Sequence, residues 1–220
     1  MSATKGTVVL LHGLARSSSS MRRMEAALTD EGYTTCNVPY PSTKHSIAIL
    51  ASEYVLPRIA DGVGDLQAPL NFVTHSMGGI IVRYLARFGL IENIARVVML
   101  SPPNKGTEVV DVLGGNWLFE LINGLAGNEL ATSESSLPNQ LGPAHWELGI
   151  IAGDRSINWL LSMMIGGRND GKVSVENARL EGMKDFLVIH ATHPFIMRRR
   201  LAIEQTIHFL EHGCFDRSPD

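Results

Sequence analysis

The chain lacks the features that would assign it to a disulfide-bonded, metal-binding or membrane-spanning class. Cys36 and Cys214 are its only cysteines. They lie far apart and form no CxxC pair, so neither a disulfide nor a thiolate metal site is predicted. No apolar run approaches the ~20 residues that cross a bilayer, and we therefore expect no stable membrane insertion. The sequence shows no basic segment followed by an apolar core, which predicts a cytoplasmic protein, although a chain trimmed of its signal peptide would read the same.

The chain also lacks an excess of positive charge, with 19 lysines and arginines against 22 aspartates and glutamates. The net charge is −3 and the isoelectric point is near 6.2. The one dense basic run is Arg198–Arg200, which we interpret as the solvated face or start of a helix. This charge balance predicts no binding to nucleic acid. A length of 220 residues with 45% hydrophobic residues is enough for one sizeable core, and we predict a single domain over residues 1–220.

Apolar runs alternate with helical patterns along the chain. Runs that are apolar at nearly every position are typical of parallel strands covered on both faces. The alternation predicts one α/β domain with a mostly parallel central sheet flanked by helices. The predicted strands are Thr7–Leu11, Thr34–Val38, Leu70–Thr74, Arg96–Leu100, Leu148–Ala152 and Phe186–His190. The predicted helices are Met21–Glu31, Ser46–Ile59, Gly78–Phe88 and Leu201–Glu211.

The segment 104–147 departs from this rhythm and is predicted to be an insertion or small cap after the fourth strand. Within it, the stretch N-W-L-F-E-L-I-N-G-L spaces its apolar residues on one face of a helix. That face includes Trp117, Leu118 and Leu121. Packing into the core is one interpretation of this face, and covering a hydrophobic substrate site is the other.

The strongest motif is N-F-V-T-H-S-M-G-G at residues 71–79. An apolar strand ends at a polar Ser76, and two glycines then open a helix, which is the arrangement of a nucleophile elbow. The tight turn requires small residues two before and two after the serine. Gly78 fits, whereas Thr74 stands where glycine is usual. The alternative interpretation of Ser76 is an ordinary helix N-cap.

The stretch L-L-H-G-L at residues 10–14 ends the first strand abruptly. If that strand lies beside the elbow strand, the N–H of Leu14 can face a carbonyl oxygen of a substrate. The N–H of Met77, at the start of the following helix, would be the second donor. Two fixed dipoles aimed at developing negative charge are what acyl transfer requires. We assign His12 a structural hydrogen bond in this turn.

A serine nucleophile needs a base and an acid to orient that base. Among the eight histidines, His193 lies just past the last strand, in a loop at the edge where α/β folds meet their ligands. Asp170 and Asp154 both follow the fifth strand. We favour Asp170 because a tight turn and a returning strand follow it, and we interpret Asp154 as a strand-end cap or ion-pair partner. The order Ser76, Asp170, His193 is that of an α/β-hydrolase.

Five stretches give the chain its resemblance to the bacterial lipase and esterase group of the α/β-hydrolase superfamily. The resemblance covers nearly the whole chain. It implies the α/β-hydrolase fold, an acyl-enzyme mechanism on small-molecule esters of short to medium chain length or on lipids, and no metal or organic cofactor. The stretches are L-L-H-G-L at 10–14, T-H-S-M-G-G at 74–79, S-P-P-N-K-G-T at 101–107, D-G-K-V at 170–173 and T-H-P-F at 192–195.

Other functions use the same residues. A thioesterase, an amidase or an acyltransferase would carry the same serine, histidine and aspartate, and the sequence does not separate them. A non-catalytic binding protein on this fold is a further alternative, but such proteins usually lose one of the three residues. The oligomeric state is not readable from the sequence.

Overall fold

The structure is a computed structural model that describes residues 4–113, 124–157, 162–163 and 165–218. Its centre is a six-stranded sheet in the order β2-β1-β3-β4-β5-β6, and every neighbouring pair is parallel. The strands are β1 (Thr7–Leu11), β2 (Thr34–Val38), β3 (Leu70–His75), β4 (Ile94–Leu100), β5 (Glu147–Gly153) and β6 (Asp185–Ile189).

The six predicted strands are confirmed, each to within two residues at either end. The reason is visible in β1, whose residues Val8 to Leu11 are fully buried. Val9 and Leu11 belong to the apolar cluster on one face of the sheet, and Val8 and Leu10 belong to the cluster on the other face. A strand covered on both faces needs an unbroken apolar run, and such runs are easy to recognise in a sequence.

Helices cover both faces of this sheet. The predicted helices are found with ends shifted by a few residues, and the basic run Arg198–Arg200 is exposed at the start of the C-terminal helix, as predicted. The principal helices are α1 (Arg22–Asp30), α2 (Ile47–Ile49), α3 (Leu56–Val63), α4 (Met77–Arg87), α5 (Glu108–Leu113) and the C-terminal helix (Arg200–His212). Shorter helical turns are Ser18–Met21, Leu137–Gln140 and His193–Arg198.

The single helix predicted over Ser46–Ile59 is instead interrupted. A π-helical stretch, Leu50–Val55, joins α2 to α3, and the N–H of Leu56 reaches back to the carbonyl of Ala51. Pro57 follows at once, and a proline there has no N–H and crowds the carbonyl four residues earlier. The wider π turn accommodates this proline.

The segment 104–147, predicted to be an insertion or small cap, lies in the connection from β4 to β5. It holds α5, helical residues 124–128 and the turn Leu137–Gln140. The N–H of Thr107 donates to the carbonyl of Leu130 at 2.9 Å, which joins the start of this segment to its middle. Its role as a cap stays a prediction.

The sheet order places a crevice between β1 and β3. The chain passes from β1 to β2 on one side of β1 and then to β3 on its other side, and Leu11 pairs with Thr74 at the carboxyl ends. Ligands of open α/β sheets bind where the strand order reverses in this way. In the described ranges, no helix is long and apolar enough to cross a membrane.

Candidate active site

Ser76 occupies a strained turn between β3 and α4. Its backbone has φ 52° and ψ −124°, outside the regions that non-glycine residues usually adopt. The N–H of Ser76 donates to the carbonyl of Leu100 at the end of β4, at 2.9 Å. The serine is therefore held at the carboxyl edge of the sheet, in the strand–turn–helix geometry that the motif predicts.

The end of the neighbouring strand β1 leaves no room for a side chain at Gly78. A Cβ added to it would lie 2.7 Å from the carbonyl oxygen of Leu11 and 3.0 Å from that of His12. The first turn of α4 thus packs directly on the end of β1. Thr74 is fully buried in β3, where it pairs with Leu11 and Met99 in the strand register.

The structure brings together the three residues selected from the sequence as nucleophile, base and acid. Oγ of Ser76 lies 3.0 Å from Nε2 of His193, and Nδ1 of His193 lies 2.8 Å from Oδ2 of Asp170. All three residues are buried, with exposures of 8%, 5% and 2% in the order Ser76, His193, Asp170. The backbone N–H of His193 also donates to the carbonyl of Asp170 at 3.0 Å, which fixes the two loops to each other.

The surroundings of Asp170 favour its ionised form. Its Oδ1 accepts the backbone N–H groups of Lys172 at 3.0 Å and Val173 at 2.9 Å. Burial alone would raise the pKa of this carboxyl, but the charge of His193 and hydrogen bonds from His193, Ser101 and Val173 outweigh it and lower the pKa. Ser101, at the end of β4, has φ 47°, so a second strained serine serves this site.

Asp154, the alternative acid, has other partners. One of its oxygens lies 2.5 Å from Nη2 of Arg168 and the other lies 3.1 Å from Nδ1 of His190. Its pKa is lowered because these hydrogen bonds outweigh partial burial. The interpretation of Asp154 as an ion-pair partner is confirmed.

His12 has the structural role that its position predicts. It is fully buried, and its ring stacks on that of Tyr40 with centroids 3.9 Å apart. Its Nδ1 lies 2.9 Å from the carbonyl oxygen of Gly13, while the hydroxyl of Tyr40 donates to the His12 carbonyl. These contacts fix the turn that precedes Leu14.

Leu14 and Met77 are both placed next to Ser76. Leu14 lines the same pocket as Ser76, and Met77 is the first residue of α4, where backbone N–H groups have no partner within the helix. Their role as the two donors to an oxyanion stays a prediction.

The described residues around Ser76 enclose a cavity of about 110 Å³. Most of its wall is apolar, with Pro103, Val109, Val110 and Leu130 among the lining residues. Val109, Val110 and Leu130 of this wall belong to the segment 104–147. The predicted substrate-contacting residues Trp117, Leu118 and Leu121 lie outside the described residues.

The sequence predicted no role in the site for three ionisable lining residues. Arg16, His75 and Lys172 also face this cavity. Lys172 lies inside the D-G-K-V stretch, so the motif pointed to its neighbourhood but gave no role for its side chain. Within the part of the chain that the structure describes, no cluster of side chains is arranged to hold a metal ion.

Comparisons with known proteins agree with this architecture. Residues 6–141 match the family model of the alpha/beta hydrolase fold. No curated protein sequence matches the chain.

Among solved structures, the mature form of the Bacillus licheniformis lipase BlEst2 is similar, with a TM-score of 0.70 and 21% identity over 93% of this chain and 91% of that one. Phospholipase PlaB from Legionella pneumophila has a TM-score of 0.65 and 17% identity over 79% of this chain and 45% of that one. YbtT, a type II thioesterase of the yersiniabactin pathway, has a TM-score of 0.60 and 17% identity over 98% and 96%.

At these identities the likeness to solved structures is one of fold. The family match covers well over half of the chain, and the parallel sheet, the elbow turn and the strand order agree with it. The chain belongs to the alpha/beta hydrolase family.

Proposed function

We propose that this protein is a serine hydrolase that cleaves carboxylic esters through an acyl-enzyme intermediate. The observation that carries the proposal is the buried hydrogen-bonded series from Ser76 through His193 to Asp170, with distances of 3.0 and 2.8 Å. A hydroxyl within hydrogen-bond reach of an imidazole that is itself oriented by a carboxylate is the arrangement of an activated nucleophile.

In the first half of the reaction, Oγ of Ser76 attacks the ester carbonyl carbon while its proton passes to Nε2 of His193. Asp170 holds the proton on Nδ1 and stabilises the imidazolium that forms. The negative charge on the carbonyl oxygen is received by the N–H groups of Leu14 and Met77. Collapse of this tetrahedral species breaks the bond to the alcohol oxygen, which takes the proton from Nε2.

In the second half, water replaces the alcohol. Nε2 of His193 accepts a proton from water as the oxygen attacks the acyl carbon. The acid then leaves, and Oγ of Ser76 recovers the proton from Nε2. Every proton transfer uses groups of this chain and the substrates.

The size and the apolar wall of the cavity suit an acyl group of short to medium length. Its volume of about 110 Å³ is of the order of an apolar cavity of about 150 Å³ that binds benzene. The apolar wall beside Ser76 is suited to an alkyl chain, whose burial is favourable by about 0.8 kcal/mol per methylene.

Thioester hydrolysis is the second candidate activity. The structural likeness to YbtT, which is a type II thioesterase, gives a reason to include thioesters in any substrate panel. The chemistry differs only in the leaving group, which is a thiol in place of an alcohol. A purely non-catalytic role is disfavoured because none of the three reacting residues has been lost.

A panel of p-nitrophenyl acetate, butyrate and octanoate, with phenyl thiobutyrate as the thioester, tests the proposal. We expect wild type to hydrolyse at least one ester and Ser76→Ala to lose about 10⁴- to 10⁶-fold in kcat. Ser52→Ala is a matched control, since Ser52 is exposed and its hydroxyl bonds only within its own helix. Equal rates for wild type and Ser76→Ala would contradict the proposal.

A further inference from the structure

Two cationic side chains line the cavity beside Ser76. Lys172 follows Asp170 in the loop after β5, and Arg16 lies in the loop after β1. They come from segments far apart in the sequence and face the same cavity. No acidic side chain is among the described residues that line it.

Neither cation has an ion-pair partner within the described ranges. Three of the other four lysines, Lys5, Lys105 and Lys184, each pair with a glutamate, whereas the exposed Lys44, like Lys172, has no ion pair with a described residue. The carboxylate nearest to Lys172 in sequence belongs to Asp170, and both of its oxygens are already engaged, one with His193 and one with backbone N–H groups.

The backbone of Lys172 is fixed relative to the reacting groups. Its N–H donates to Oδ1 of Asp170 at 3.0 Å, and its carbonyl accepts the hydroxyl of Thr107. These bonds anchor the backbone of Lys172 at the cavity wall. Lys172 and Arg16 are both exposed residues, so their side chains line the mouth of the cavity and also reach solvent.

The two cations also repel each other. Partial desolvation and then the charge of Arg16 lower the pKa of Lys172, while Asp170 opposes this shift. Like charges at one cavity favour the binding of an anion there. The protein as a whole has a net charge of −3, so this local positive charge is not part of a general basic surface.

We propose that the substrate of this hydrolase is an anionic ester, with a carboxylate or phosphate close to the scissile bond that Lys172 and Arg16 bind. This inference rests on the proposed ester hydrolysis. The two cations lie beside the apolar wall, so the bound ester would place an alkyl part against the wall and its charged group at the cations.

Two pairs of esters locate the charge. In the first pair, p-nitrophenyl hydrogen adipate, which carries its charge on the acyl side, is compared with the neutral methyl p-nitrophenyl adipate. In the second, 4-carboxyphenyl hexanoate is compared with its methyl ester, which places the charge on the alcohol side. The measured quantity is the ratio of kcat/KM for the anionic ester to that for its neutral partner, with Ser76→Ala as the background.

We expect wild type to prefer the anionic member of at least one pair. Lys172→Met and Arg16→Gln should each lower that ratio by about 10-fold, and Lys172→Glu should lower it further. Added salt should reduce the preference, because exposed charges are screened. Lys105→Met and Arg23→Gln are matched controls, since both residues are exposed and lie outside this cavity, and they should leave the ratio unchanged.

The outcomes separate the two proposals. In one outcome, wild type hydrolyses the neutral esters through Ser76, but the anionic-to-neutral ratio of kcat/KM is near one or is unchanged in Lys172→Met and Arg16→Gln. This outcome overturns the anionic-substrate inference and leaves ester hydrolysis standing. Equal losses on both members of each pair would mean that the cations act on the reaction's own developing charge, and this also overturns the inference. Absence of hydrolysis for all four esters overturns the anionic-substrate inference, and absence for p-nitrophenyl acetate, butyrate and octanoate as well overturns both.

Discussion

Nε2 of His75 lies 3.0 Å from the carbonyl oxygen of His193. His75, the residue before Ser76, therefore contacts the backbone of the same histidine whose imidazole contacts Ser76. A carbonyl only accepts, and Nε2 of His75 must therefore carry the proton. Nδ1 of His75 is buried and has no partner among the described residues. Burial, and then the charge of His193, hold the pKa of His75 well below 6.5. The residue beside Ser76 is a neutral support for the His193 loop.

This arrangement predicts a loss of stability in mild acid. In the unfolded chain the His75 imidazole binds a proton near pH 6.5, whereas in the folded chain it does so only at lower pH. The contribution to the free energy of unfolding is therefore fully present above pH 6.5. It falls as the pH drops from there toward the folded-state pKa, by up to about 1.4 kcal/mol per pH unit.

Denaturant unfolding of wild type and His75→Gln between pH 5 and pH 8 measures this effect. We expect the pH dependence to be weaker in His75→Gln, which can still donate to the His193 carbonyl. His212→Gln is the control because His212 is exposed, and its pH dependence should match wild type. Identical profiles for wild type and His75→Gln would contradict this account of the buried imidazole.

The hydrogen-bonded series predicts that its members act as a unit. Ser76→Ala, His193→Ala and Asp170→Asn should each lower kcat by about 10⁴-fold or more, and the double variants should lose little beyond the worse single variant. Circular dichroism should show that each variant stays folded. Additive losses across the double variants would argue that the three residues act separately.

Asp154→Asn is the matched control for Asp170→Asn. It removes an ion pair with Arg168 and a bond to His190, and such partly exposed pairs contribute about 0–1 kcal/mol. We expect near wild-type turnover with little change in melting temperature. If Asp154→Asn were as damaging as Asp170→Asn, the acid would be wrongly assigned.

Gly78→Ala tests the close approach of α4 to β1. The added Cβ would lie 2.7 Å from the carbonyl oxygen of Leu11, a backbone atom that cannot move without shifting the strand. Overpacking of this kind costs about 1–3 kcal/mol in the free energy of unfolding. Gly79→Ala is the comparison, because its Cβ would lie 3.1 Å from the flexible Met99 sulfur. Equal losses in the two variants would speak against the backbone clash.

Arg83 joins α4 to the segment 104–147 through buried hydrogen bonds. It is 3% exposed, and its guanidinium donates to the carbonyls of Asn104 at 2.9 Å, Pro138 at 2.7 Å and Gly142 at 3.0 Å. Burial lowers its pKa to about 10, which leaves it charged at neutral pH. Lysine cannot reproduce this fork of donors, so Arg83→Lys should destabilise the protein by about 3 kcal/mol in urea unfolding. Arg87 is exposed, so Arg87→Lys should leave the free energy of unfolding nearly unchanged. A similar decrease in that variant would refute the role given to Arg83.

The sheet and the candidate site residues could be selected from the sequence because their signals are local. A parallel strand buried on both faces requires a continuous apolar run, and a serine at a strand-to-helix turn requires a glycine two residues later. His193 followed from its position just past the last strand, since the carboxyl ends of parallel strands meet at one edge of the sheet. Asp170 was favoured over Asp154 for the tight turn that follows it.

The remaining features depend on contacts that the sequence does not show. The partners of Arg83 lie 21 to 59 residues away, and nothing near Arg83 indicates them. The same is true of the convergence of Arg16 and Lys172 at one cavity. The π-helical turn before Pro57 was missed because the residues around it favour an ordinary helix.

The central claim is that Ser76 is a nucleophile activated by His193. Reaction of the folded protein with a fluorophosphonate, followed by peptide mass spectrometry, tests it most directly. The account predicts a single phosphonyl group on the peptide that contains Ser76, greatly slowed labelling in His193→Ala and none in Ser76→Ala. A folded wild-type protein that leaves Ser76 unlabelled, or that labels equally fast without the imidazole at position 193, would contradict it.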